Sequence, residues 1–191
     1  RDRIISRLLC DYVQTQVVRD IRQHYNPTWN RRGLWDKSYS ECRTAGVPAM
    51  ILELLSHQNF NDMKLGLDPS FRFSVSRAVY KGILKTLSQY YNKPYTVQPL
   101  PVHAFSATLS KDGSKVILEW KPTQDMDEPT ARSIGYIVRT RIDDEAFDDG
   151  IETLDERLEI PIRKGHIYSF KVEAFNEGGK SFPSEVLSVG I

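Results

Sequence analysis

Tyr168-Ser169-Phe170-Lys171-Val172-Glu173-Ala174 alternates apolar and polar residues from end to end, the longest such set in the chain. A period of two places Tyr168, Phe170, Val172 and Ala174 on one face of an extended strand. The same alternation runs through Val116, Leu118 and Trp120, through Tyr136 and Val138, and through Leu158, Ile160 and Ile162. Turn-forming clusters separate these runs: Lys111-Asp112-Gly113, Asp148-Asp149-Gly150, Lys164-Gly165 and Glu177-Gly178-Gly179. Short alternating strands between such turns predict an all-β, immunoglobulin-like sandwich over 102–191. Trp120, Tyr136 and Tyr168 are its expected core aromatics. Asp143-Asp144-Glu145 and Asp148-Asp149 lack EF-hand spacing and read as a solvated acidic loop.

Upstream the texture changes. Asn92 to Pro101 holds three prolines, and residues 94–101 are expected to form a stiff linker. Before it, over 1–93, the apolar period is near four. Ile4, Leu8, Tyr12, Val13, Val17 and Ile21 give one face of a long helix that ends at Asn26-Pro27. Asp68-Pro69 opens a second helical segment that runs to Tyr91, with Phe71, Val75, Val79, Ile83 and Leu87 spaced by four. Between the helices, Val47-Pro48-Ala49-Met50-Ile51-Leu52-Glu53-Leu54-Leu55 is nearly continuous in apolar character, as a central parallel strand covered on both faces would be. Helix, strand and helix together predict an α/β layer.

Charge divides at the same place. Residues 1–96 carry 15 Lys+Arg against 8 Asp+Glu, and the remainder carries 11 against 17, so a net charge of +1 averages a basic part and an acidic one. A hydrophobic content of 40% and a charged content of 27% are those of a globular chain, which excludes fibrous and wholly disordered classes. No apolar run approaches the ~20 residues of a membrane span. Two cysteines, Cys10 and Cys42, cannot build a disulfide scaffold; they read either as a pair in an oxidising compartment or as two free thiols.

The second part resembles a fibronectin type III domain. The likeness rests on Trp120 in Leu118-Glu119-Trp120, on Tyr136, on Tyr168 at the tyrosine-corner position, and on the stretch from Asn176 to Glu185. Its implied role is that of a spacer or interaction module.

Glu53 is the most informative residue of the first part. A carboxylate near the end of an apolar strand is costly unless it is paired, hydrated or used, and Arg31, Arg32 and Arg43 are candidate partners. The surrounding stretch, 8–91, resembles the C-terminal portion of zinc-dependent N-acetylmuramoyl-L-alanine amidases, which cleave peptidoglycan. Four features carry the resemblance in order: Asn30-Arg31-Arg32-Gly33-Leu34 after a long helix; Pro48-Ala49-Met50-Ile51-Leu52-Glu53; Asn59 capping a short helix; and Arg77-Ala78-Val79-Tyr80-Lys81-Gly82-Ile83.

That resemblance implies zinc-assisted amide hydrolysis with Glu53 as the catalytic carboxylate. Arg32 and His57 are the candidate substrate contacts. The family takes its zinc ligands from segments preceding those visible here, and His24, His57, His103 and His166 form no metal-binding spacing with one another. The chain, which begins at Arg1 without Met, is therefore expected to be cut from a longer zinc enzyme and to be inactive alone, without cofactor. The resemblance further implies peptidoglycan or another anionic polysaccharide as partner, no nucleic acid, and a bacterial exported protein, periplasmic or extracellular. Two alternatives stand beside it. One is the tail of a xanthan-type polysaccharide lyase, with Arg31, Arg32 and His57 as its base and charge-neutralising groups. The other is a non-catalytic adhesion or carbohydrate-binding unit.

Overall fold

A computed structural model describes residues 2–37, 39–43 and 46–190. The chain divides between Tyr95 and Thr96 into two compact units.

The first unit is helical: α1 (Asp2–His24), α2 (Phe60–Leu67) and α3 (Pro69–Tyr91), with a 3₁₀ turn at Ser40–Cys42. The starts of α2 and α3 follow from their caps. Asn59 Oδ1 accepts from the backbone N–H groups of Asn61 and Asp62 at 2.9 and 3.3 Å, and Asp68 Oδ1 accepts from Ser70 at 2.8 Å with Pro69 beginning the helix. Asn92 then stops α3 in the left-handed region, at φ 50°.

Helices α1 and α3 pack on each other through Val13, Val17, Ile21, Phe71 and Ala78. Each large apolar side chain buried there contributes roughly 1.5–3 kcal/mol. The buried face of α3 is not the row spaced by four. Phe71 is fully buried, but Ile83 and Leu87 are 39% and 45% exposed. At 3.6 residues per turn a strict spacing of four advances about 40° per step, so the row winds off the contact face. Its place is taken by Ala78, Lys81, Gly82 and Thr86.

The expected α/β layer is not what the structure contains. Among the described residues the first unit has no strand, and residues 47–55 have no ladder partner. A strand exists only as a pair, because its N–H and C=O groups need a neighbouring backbone. Here Ala49 N–H donates to Ser6 Oγ on α1 at 3.1 Å instead. Met50, Leu54 and Leu55 pack against the helical core, while Val47, Ile51 and Leu52 are exposed. The apolar run is covered on one side rather than two.

The second unit is an antiparallel sandwich. One sheet has the order β1-β2-β5, from His103–Leu109, Lys115–Lys121 and Arg157–Pro161. The other has the order β4-β3-β6-β7, from Ile151–Thr153, Gly135–Ile142, Ile167–Asn176 and Gly179–Lys180, with β8 (Leu187–Gly190) also pairing with β6. The quoted alternation places Tyr168, Phe170, Val172 and Ala174 of β6 in the core with Val116, Leu118, Trp120 and Val138. The Trp120 and Tyr136 rings meet edge to face, with centroids 5.4 Å apart. Tyr168 Oη accepts from Arg163 N–H at 3.1 Å, which satisfies the buried phenol.

Of the stretch 94–101 expected as a linker, Val97 and Pro99 are fully buried in this unit. Asn176 Nδ2 donates to Val97 O at 2.9 Å, and Gly178 lies so close to Thr96 that an added Cβ would sit 2.3 Å from its carbonyl oxygen. The prolines shape a packed leading segment. Residues 96–101 belong to the second unit rather than to a separate linker.

Candidate functional site

An open groove of about 940 Å³ lies on the first unit. Its floor is one stripe of α1: Arg3, Arg7, Cys10 and Gln14, spaced by four, three and four, which is the spacing of a single helical face. The segment after α1 lies along this stripe. Arg31 Nη2 is 2.5 Å from Asp11 Oδ1, Gln14 Nε2 donates to Arg32 O at 2.8 Å, and Asp36 pairs with Arg3.

Arg32 and Glu53 both line this groove, so two of the sequence-selected residues share one site. His57 does not line it and is exposed beside α2. Glu53 is exposed, and Arg31, one of its suggested partners, is instead paired with Asp11. Arg31 also donates to Gln14 Oε1 at 3.0 Å. The Arg32 guanidinium instead lies 5.4 Å from the Trp35 ring centroid, and Lys37 Nζ lies 4.7 Å from it. Trp35 is 63% exposed at the groove, a cation-flanked aromatic that sequence periodicity had no means of selecting.

The groove is basic. Arg3, Arg7, Arg32, Lys37 and Arg43 line it against Asp36 and Glu53. Zinc does not fit the residues present: among the described residues no group of three or more His, Cys, Asp and Glu is placed to hold a metal ion. In the second unit two of the acidic loop residues accept backbone hydrogen bonds. Asp143 Oδ1 accepts from Ile167 N–H at 2.8 Å and its Oδ2 faces His166 Nδ1 at 2.7 Å, while Asp148 Oδ1 accepts from Thr140 N–H at 2.9 Å. The His166 contact and the Ile167 N–H hold the Asp143 carboxyl below the usual aspartate range. No helix among the described residues is long and apolar enough to cross a membrane.

No protein-family model matches the chain, and no curated protein does. Solved structures do. The twitchin kinase region from C. elegans is 23% identical with a TM-score of 0.42, over 49% of this chain and 17% of that one. The FN1–FN3 domains of chicken CNTN1 are 15% identical with a TM-score of 0.40, over 48% and 31%. The fourth FNIII domain of a human protein is 19% identical with a TM-score of 0.43, over 49% and 78%. The first two are far longer than the region this chain spans. The strand order and the tyrosine corner of the second unit are themselves those of an immunoglobulin-like, fibronectin type III-like sandwich.

Proposed function

We propose that the chain is a section of an exported cell-wall hydrolase of the N-acetylmuramoyl-L-alanine amidase type, carrying a fibronectin type III-like accessory module. The observation that carries this reading is that Glu53 and Arg32, the carboxylate and arginine of the amidase-like motifs, line one wide basic groove. An anionic peptidoglycan strand is the substrate class such a groove attracts, since clustered cations raise the local concentration of a polyanion. Arg32 and Arg7 hold the polymer, and in the intact hydrolase Glu53 would take a proton from the attacking water and pass it to the amine as the amide C–N bond breaks. In the family resembled, a bound zinc would supply the activation of that water; the described residues of this chain supply no ligand set for it, so the chain alone is expected to be inactive.

A second reading, a non-catalytic carbohydrate-binding unit, is favoured by the exposure of Glu53, because proton transfer gains from a water-excluded site. One experiment addresses both. The chain should co-sediment with insoluble peptidoglycan at low salt, release from it as salt rises, and bind less well as the Arg7→Ala/Arg32→Ala double variant. Unchanged sedimentation of that variant would remove the groove from either reading. In the intact hydrolase, Glu53→Gln should abolish release of peptide stems and leave polymer binding in place; retained turnover would leave the carbohydrate-binding reading.

A further inference from the structure

Cys10 and Cys42 come from different elements to one place. Cys10 is midway along α1, Cys42 closes the 3₁₀ turn Ser40–Cys42, both are half-buried, and both line the same groove. The path of the chain explains the meeting. Gln14 binds Arg32 O and Ser6 binds Ala49 N–H, and at 1.5 Å per residue Cys10 lies ~6 Å along the helix axis from each of these anchors. Arg3 and Asp36 pair at the same end of α1. Arg32 and Asp36 before Cys42, and Ala49 after it, are thus anchored to the helix that carries Cys10.

We propose that Cys10 and Cys42 form a reversible disulfide that fastens the Ser40–Cys42 turn to α1 and fixes the groove wall bearing Arg43. The oxidant is a disulfide of the glutathione or thiol–disulfide oxidoreductase class. Its S–S bond breaks as a protein thiolate attacks, and a mixed disulfide forms with release of the first thiol. The second cysteine then displaces the remaining thiol, so the pair loses two protons and two electrons and the oxidant leaves as two thiols. Burial pushes the Cys10 thiol up, and Cys42 raises it further, so exchange is faster above neutral pH than below it.

The test uses the unmodified chain equilibrated in glutathione buffers from reducing to oxidising, then denatured, alkylated and weighed. The expected product is a monomer lighter by two hydrogens with neither cysteine alkylated, reversed by reductant. Cys42→Ser should instead carry one glutathione on Cys10. Two glutathione adducts on the unmodified chain, a disulfide-linked dimer, or two thiols that stay alkylatable in the most oxidising buffer would each overturn the pairing.

Discussion

Lys81 Nζ of α3 lies 2.8 Å from Asp20 Oδ2 of α1, with side chains 4% and 8% exposed. Gln16 Nε2 donates to the other carboxylate oxygen at 2.7 Å, and Lys85 Nζ reaches Gln16 Oε1 at 2.5 Å. The ion pair is thus built into the main helix–helix contact of the first unit.

Removing one partner should be far worse than removing both. Asp20→Asn leaves a buried ammonium facing a neutral amide and should cost about 3–5 kcal/mol, whereas Asp20→Leu/Lys81→Met replaces the pair with apolar volume and should cost much less. Urea unfolding followed by far-UV circular dichroism reads the helical unit. Equal losses in the two variants would show that the pair is not desolvated in solution.

Gly82→Ala should destabilise the same contact even though alanine is the better helix former. The propensity gain is ~1 kcal/mol. Against it, the new Cβ would lie 2.6 Å from Val13 Cα, a backbone atom that moves only if α1 moves. Overpacking of this kind costs about 1–3 kcal/mol or more. A net rise in the urea midpoint would contradict the close approach of the helices.

Tyr168→Phe removes the acceptor of Arg163 N–H and keeps the ring. The sandwich should lose about 1–2 kcal/mol, the cost of a lost hydrogen bond with its donor left poorly satisfied. Trp120, fully buried beside Tyr136, supplies the fluorescence signal for this unit. A variant that unfolds with the parent would place the phenol oxygen in water.

Asp112 is expected to give the β1–β2 turn its own acid sensitivity. The Ser110 hydroxyl, then the N–H and hydroxyl of Ser114, bind its carboxylate and push it down to about 2. Because the folded value lies below the unfolded one, the carboxylate's stabilisation is complete above the ordinary aspartate value of ~3.9 and is lost as pH falls towards about 2. Nuclear magnetic resonance titration should place the Asp112 midpoint well below that of exposed aspartates. An ordinary midpoint, or an acid-unfolding curve unchanged in Asp112→Asn, would exclude the turn as its cause.

Part of the candidate site was legible in the chain itself. Glu53 and Arg32 were selected from local motifs and do share a groove, but His57, only four residues from Glu53, does not reach it. Sequence proximity failed there because α2 and its Asn59 cap carry the chain away. Arg3, Arg7 and Gln14 carry no local motif, and Cys10 draws notice only as a thiol, although the spacing of the four marks one helical face. A search for apolar faces passes over a stripe of polar residues and thiols.

Sequence alone determined the β-sandwich, because alternation binds each side chain of a strand to one face whatever its partner. It also determined where α2 and α3 start, since Asn59 and Asp68-Pro69 act on backbone groups within three residues. Tertiary structure alone decided the rest. Residues 47–55 have the composition of a buried strand, but pairing depends on a second backbone, and α1 supplies Ser6 and an apolar surface in its place. Asp20, Lys81 and Gly82 look like ordinary helix residues until α1 and α3 meet. Their meaning then comes from a contact between segments about 60 residues apart, which no local pattern records.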